Sequence, residues 1–354
     1  MKEAVKTKLK QNKSNKKVLL KDIADYVGVS TALVSYVINN KEKEARVGTE
    51  IAKKIRQAAI ELNYQPNLIA KSLKSGKSNT IGLIVADISN PFFSNIARII
   101  EDEARKLGYV VIFGSSDESA EKSQSLIDVF LNRQVDAFII APTEHAEDQI
   151  KKLKSWVPVV LIDRYFPSIE TDCVRIDNFQ AAYNAVEHLI KTGRKKIAMM
   201  AYNINLQHII ERKNGYKAAL EKNGIKFKPA WLLEATFENI AKDVEREMKS
   251  ILTPKLKVDA LFFATNTLAV AGLKIINQLG IKVPDDLAIV SFDESDAFDF
   301  FYSPLTYVSQ SLTEIGKGAV KLATDRINNS DKECTSILVE PKLILRKSSG
   351  AETR

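Results

Sequence analysis

Three short stretches of this sequence place polar residues directly behind apolar runs of strand length. Asp87 and Asn90-Pro91-Phe92-Phe93 follow Ile81–Ala86, Asp163-Arg164 follow Val159–Ile162, and Asp293 follows Ile289–Phe292. Carboxylates accept hydrogen bonds from hydroxyls, amide and guanidinium groups donate in fixed directions, and aromatic faces cover the apolar side of a ring. Converging on one cleft, such groups suit a polyhydroxylated ligand such as a sugar. An aspartate behind a strand also caps a following helix; recurrence behind several strands is what points to a site.

Other chemistries find less support. The three histidines, His145, His188 and His208, stand in no recognisable catalytic context, and neither a Ser/His/Asp set nor an HExxH motif is present. Cys173 and Cys334 make neither metal-ligand spacing nor a disulfide framework and are expected to be reduced and packed. No enzyme activity, cofactor or metal is therefore expected. Gly76-Lys77-Ser78 imitates the end of a phosphate-binding loop, but G-x-x-x-x-G-K-[ST] needs glycine where Lys71 stands. The order is also reversed, since here helix precedes glycine and strand follows.

The elements that must position the polar groups are short buried strands alternating with helical patterns. Strands are expected near Ile81–Ala86, Val110–Gly114, Ala137–Ala141 and Val159–Ile162, then near Lys196–Met200, Ala260–Ala264 and Ala288–Ser291. This order predicts parallel sheets covered on both faces. There are too many strands for one compact sheet, so the α/β class with two doubly wound lobes follows, and ligands of such sheets bind beyond the carboxyl ends of the strands. The aromatic run Phe298, Phe300, Phe301 and Tyr302 reads as interlobe or dimer core rather than as a ligand-stacking surface.

At 354 residues and 45% hydrophobic the chain can bury a large core in two or three domains. Its apolar runs fall far short of the roughly 18 residues of a membrane span, and no signal-peptide apolar region follows the lysine-rich start. The net charge of +8 is unevenly placed: residues 1–79 hold 17 Lys and Arg against 7 Asp and Glu, leaving 35 against 37 for the rest. A basic head on a nearly neutral body is the footprint of a polyanion-binding module joined to a separate domain.

Within that head, Leu20, Ile23, Ala24 and Val27 repeat at helical spacing, Gly28 breaks the pattern, and Ser30 offers an N-cap for a second helix through Val34, Val37 and Ile38. A third helix carries Ile51, Ile55, Ala58, Ala59 and Leu62 on one face and ends before Pro66. Each is too short to persist alone, so the three must share a core. Lys21 to Asn39 has the helix-turn-helix layout, in which the start of the second helix faces base edges in the major groove.

KDIADYVGVS, VSYVIN, LNYQPNLIAKSL, IGLIVADISNPFF and VSFD, in this order from about Val18 to Arg346, resemble the lactose-repressor (LacI/GalR) family of transcription regulators. The resemblance implies that Thr31, Ala32 and Tyr36 read bases while Ser30, Ser35 and Asn39 hold the phosphate backbone. It implies a hinge helix within QPNLIAKSLKSGKS, with Leu73 as an apolar wedge in the minor groove and Lys74 and Asn67 holding its edges and backbone. It further implies a periplasmic-binding-protein-like core that dimerises and clamps a small effector through Phe92, Phe93, Asp163, Arg164, Arg212, Asn266 and Asp293, with His208, Phe237 and Gln310 as further candidates. Leu19 and Leu33 depart from the polar residues usual in the family, Gly48 from a frequent serine cap, and Thr267 from a frequent aspartate.

The expected organisation is a basic, disordered extension over 1–17, a helix-turn-helix domain over 18–65, the hinge and linker over 66–79, a two-lobed effector and dimerisation domain over 80–346, and a tail over 347–354. The expected partners are operator DNA, a sugar-like effector and a second copy of the chain, with no membrane, in the cytoplasm. The expected activity is that of an effector-controlled repressor. A solute-binding protein, the alternative, has no use for the basic head and would need an export signal.

Overall fold

The computed structural model describes residues 18–65, 76–253, 257–329 and 332–351. The chain divides into two compact units at Gly76/Lys77.

The first unit holds three helices, α1 (Leu20–Val27), α2 (Thr31–Ile38) and α3 (Thr49–Glu61). Asp22 caps the start of α1 by accepting from the Leu19 N–H at 2.7 Å, so the leucine at the N-cap is compensated by a carboxylate three residues on. Gly28 ends α1 in the left-handed region at φ 79°, returning its N–H to the Ala24 carbonyl. Two residues later the Ser30 hydroxyl accepts from the Leu33 N–H and starts α2. Ile23, Ala24, Val34, Val37, Ala52, Ile55 and Ala58 close the shared core. Ala52 joins it, whereas Ile51, Ala59 and Leu62, expected on the inner face of α3, are only half-buried.

The second unit contains two six-stranded sheets. The first lobe has the order β11-β5-β4-β3-β1-β2, with β1 (Thr80–Val85), β2 (Val110–Ser115), β3 (Ala137–Ile140), β4 (Val159–Ile162), β5 (Asp172–Ile176) and β11 (Ser336–Val339). The second has β12-β10-β9-β8-β6-β7, with β6 (Ile197–Tyr202), β7 (Leu232–Ala235), β8 (Ala260–Phe263), β9 (Ala288–Phe292), β10 (Thr306–Ser309) and β12 (Lys342–Ile344). Successive residues of β1 serve opposite faces: Ile81, Leu83 and Val85 join one apolar cluster and Ile84 another. That double burial explains its continuous apolar run. The pairing is parallel except at β10–β12, which is antiparallel where all-parallel sheets were expected.

The helices of this unit are α4 (Pro91–Lys106), α5 (Ala120–Asn132), α6 (Glu147–Leu153), α7 (Asn178–Lys191), α8 (Gln207–Lys222), α9 (Ile240–Ile251), α10 (Asn266–Leu279), α11 (Ala297–Phe300) and α12 (Leu312–Asn328). The chain crosses between lobes three times: after β5, between β10 and α12, which packs on α4 of the first lobe, and between β11 and β12. Each lobe is therefore assembled from distant parts of the sequence.

Of the segment expected as a tail, residues 347–351 are described, and these are built into the second lobe. Ser348 donates to the Ile289 carbonyl at 2.7 Å and accepts from the Thr306 N–H at 2.8 Å. The Ser349 hydroxyl meets Thr306 Oγ1 at 2.7 Å and His188 Nε2 at 2.8 Å, and both serines are fully buried. Cys173 is buried as expected, whereas Cys334 is exposed. Of the aromatic run, Phe298 and Phe301 are buried and Phe300 is 89% exposed. No helix among the described residues is long and apolar enough to cross a membrane.

Candidate functional site

Two loops of matching geometry bring the strand-end aspartates to the cleft between the lobes. Asp163 follows β4 with φ 63° and Asp293 follows β9 with φ 65°, both in the left-handed region that aspartate tolerates better than most side chains. Each keeps its sheet bond while turning, Asp163 N–H to the Val174 carbonyl and Asp293 N–H to the Val308 carbonyl, both at 3.0 Å. The same local device thus presents one carboxylate from each lobe.

A cavity of about 230 Å³ lies between them, lined from the first lobe by Asp87, Asn90, Phe92, Phe93, Asp117, Glu118, Asp163 and Arg164, and from the second by Tyr202, His208, Arg212, Phe237, Ile240, Thr265, Thr267 and Asp293. The aromatic walls come in pairs. Phe92 and Phe93 meet edge to face at 5.0 Å, placed by an α4 start in which Asn90 caps and Pro91 opens the helix. Tyr202 stacks on Phe237 at 4.0 Å.

Polar groups fill the floor. Arg212 and His208 lie four residues apart on one face of α8, both buried. Arg212 donates from Nε to Asn178 Oδ1 at 2.9 Å and from a terminal nitrogen to the Ala264 carbonyl at 2.7 Å; that nitrogen lies 3.9 Å from Asp293, and the guanidinium sits 3.5 Å from the Phe292 ring centre. Asp293 also accepts from Gln310 at 2.6 Å. Arg164 grips Glu118 with both terminal nitrogens, at 2.6 and 2.7 Å, while its Nε stands 3.5 Å from Asp163.

Burial governs the protonation of this cluster. It raises the Asp293 carboxyl to about 6 against the pull of Arg212, and raises Asp163 in the same direction against Arg164 and Arg212. It holds His208 well below its ordinary value, with Arg164 and Arg212 adding to the effect, so the imidazole is neutral near pH 7. Among residues lining this cavity, two buried atoms, Arg164 Nε and His208 Nδ1, have no hydrogen-bond partner, although Asp163 stands 3.5 Å from the first. A buried polar atom left unpaired is costly, and a hydroxyl-bearing ligand could satisfy a donor and an acceptor together.

Phe92, Phe93, Asp163, Arg164, His208, Arg212, Phe237 and Asp293 are thus brought together around one cavity. Asn266 is not in its wall. It donates to Asn90 Oδ1 at 3.2 Å across the lobes and lines a second, wider cavity of about 580 Å³ beside the first. Gln310 lines a smaller cavity of about 170 Å³ with Phe92 and Asp293 and reaches the first only through Asp293. Glu118 and Tyr202 were not anticipated.

In the first unit, Thr31, Ala32 and Tyr36 are exposed on α2, Tyr36 by 44%, while Val34 and Val37 turn inward. Ser30 is engaged as the cap, and Asn39 donates to the Ser35 carbonyl at 2.8 Å and its hydroxyl at 3.4 Å. Asn67, Leu73 and Lys74 lie outside the described residues.

Comparison with known proteins matches both units. Residues 78–347 match the profile described as periplasmic binding proteins and sugar binding domain of LacI family, and residues 19–67 match that of bacterial regulatory proteins, lacI family. The HTH-type transcriptional repressor PurR of Pasteurella multocida is 31% identical over 331 residues, covering 93% of this chain and 98% of that protein. The lac repressor dimer bound to operator and the anti-inducer ONPF shares the fold, with a TM-score of 0.83, 23% identity, and coverage of 94% of this chain and 99% of that one. A transcriptional regulator CelR in complex with cellobiose shares it at a TM-score of 0.70 and 24% identity, over 94% of this chain and 100% of that one.

Proposed function

The chain belongs to the LacI family of bacterial regulatory proteins, and on that premise we propose that it is an operator-binding repressor whose DNA affinity is set by a sugar or sugar derivative held between its lobes. Family membership makes it a DNA-binding transcriptional regulator with an effector-binding core, and a regulator rather than an enzyme. The repressor sign rests on the kinship with PurR. The effector class rests on one observation: a carboxylate from each lobe, a neutral imidazole and two buried guanidinium groups line a single cavity with aromatic pairs beside them. The cavity volume, about 230 Å³, lies below the roughly 300–1,000 Å³ usual for drug-sized ligands, which favours a ligand of about one sugar ring.

In this reading Thr31, Ala32 and Tyr36 contact base edges, and Ser30, Ser35 and Asn39 hold phosphates. The exposure of the first three on one helix supports the assignment. Asn67, Leu73 and Lys74 are assigned to the minor groove by their place in the family pattern. The regulator works as a homodimer in the cytoplasm. Isothermal titration of the full chain with a panel of monosaccharides tests the effector class: at least one should bind, and Asp293→Ala should abolish that binding. A panel that fails throughout, alongside a non-sugar ligand that binds and depends on Asp293, would replace the sugar reading.

A further inference from the structure

Arg164 is the cleft group best built to grip an anion, and it already grips Glu118. Both of its terminal nitrogens donate to the Glu118 carboxylate, at 2.6 and 2.7 Å, and one also reaches the Pro142 carbonyl at 3.3 Å. The two side chains are 6% and 10% exposed. This two-pronged geometry is the one a guanidinium would otherwise offer to a phosphate or carboxylate. The second cation is engaged as well, since Arg212 is committed to Asn178 and Ala264 with Asp293 nearby. Around these two cations the same cavity wall carries Asp87, Asp163 and Asp293, and Asp117, which is paired with Lys122. The carboxylates therefore outnumber the guanidinium groups before any ligand enters.

We propose that Glu118 is a specificity-determining residue: by occupying the Arg164 guanidinium it restricts the cleft to effectors that carry no anionic group. The inference rests on the reading of this cleft as the effector site. A phosphate ester placed there would find no free guanidinium fork and would face the Asp163 and Glu118 carboxylates in a site with little water to screen them. What remains along this wall is matched to neutral hydroxyls: Arg164 Nε, which makes no hydrogen bond although Asp163 stands 3.5 Å away, the Asp163 carboxylate, and His208 Nδ1. Nothing local in the sequence marks Glu118 for this role, because it lies in a turn three residues past β2 rather than at the end of an apolar run.

The test uses the full chain and two sets of probes. In the first, wild-type protein is titrated calorimetrically with sugars and their phosphate esters in pairs, and every ester should bind at least about tenfold more weakly than its parent. In the second, Glu118→Gln keeps the shape of the side chain, frees the Arg164 charge, and should bind inorganic phosphate at least about tenfold more tightly than wild type. The gain should disappear in Glu118→Gln/Arg164→Met. A wild-type cleft that binds a phosphate ester as tightly as its parent, or a folded Glu118→Gln that gains no phosphate affinity, overturns the proposal. Should Glu118→Gln fail to fold, the paired titration of wild type decides alone. A neutral effector that is not a sugar would defeat the sugar reading and leave this inference standing.

Discussion

Asp293 is held by opposing forces. Burial pushes its carboxyl up to about 6, while Arg212 favours the charged form and Gln310 donates to it. The folded-state value lies above the ordinary 3.8, so the folded core binds this proton more tightly than the unfolded chain between those two values. Its contribution to stability is thus fully present only below the unfolded value of 3.8 and is lost as pH rises from there through about 6. Asp293→Asn removes that titration. The stability of wild type relative to the variant should therefore fall by about 2 kcal/mol between pH 4 and pH 7, read by urea unfolding at both. A difference independent of pH would contradict it. The ionised form is also the better acceptor for ligand hydroxyls, so effector affinity should drop as pH falls below about 6. Asp163 and Asp293 were legible in the sequence because each follows an apolar strand. Glu118 was not, since its neighbourhood shows only an acidic turn, and Tyr202 was hidden as the last residue of a buried strand that reads as core throughout.

The contact between α7 and α8 fixes the position of Arg212. The two helices pack so closely at Gly215 that a methyl group there would stand 2.2 Å from the Phe179 carbonyl oxygen and 3.0 Å from the Tyr183 nitrogen. Both obstacles are backbone, so the helices must separate to admit it. Gly215→Ala should destabilise the core by about 1–3 kcal/mol or more and weaken effector binding with it, because Arg212 of α8 bonds to Asn178 at the start of α7. Unchanged stability in a thermal melt would show that the contact yields more easily than the geometry indicates. In the first unit, Ser30→Ala removes the cap of α2 and should cost about 1 kcal/mol, whereas Tyr36→Ala, half exposed, should weaken operator binding without a comparable loss of stability. The seven strands expected from the sequence lie in predominantly apolar runs. The five others, β5, β7, β10, β11 and β12, are short, as β3, β4 and β8 are, but are interrupted by polar residues, among them Asp172, Arg175, Glu234, Thr306, Ser336 and Lys342. Their pairing is decided by neighbours far away in sequence, as in β11 with β5, and no local periodicity carries that information.

At the scale of the whole chain, three facts converge: positive charge concentrated in the first 79 residues, a three-helix unit with an exposed face on α2, and a two-lobed unit with a polar cavity between its lobes. Charge partition and alternating strands made this division readable from sequence. The three crossings between lobes were not readable, because they depend on where β11 and β12 find their partners. Linkage connects the units: an effector can alter operator affinity only by the free energy with which it favours one arrangement over another, typically about 1–3 kcal/mol. The most direct measurement is fluorescence anisotropy of the full chain on the DNA upstream of its own gene, at fixed salt, with and without a sugar that binds the core. The account predicts a shift in Kd of about 5–150-fold, absent in Asp293→Ala although that variant binds the DNA normally without effector. An operator affinity that stays the same while the core is saturated with ligand would contradict it.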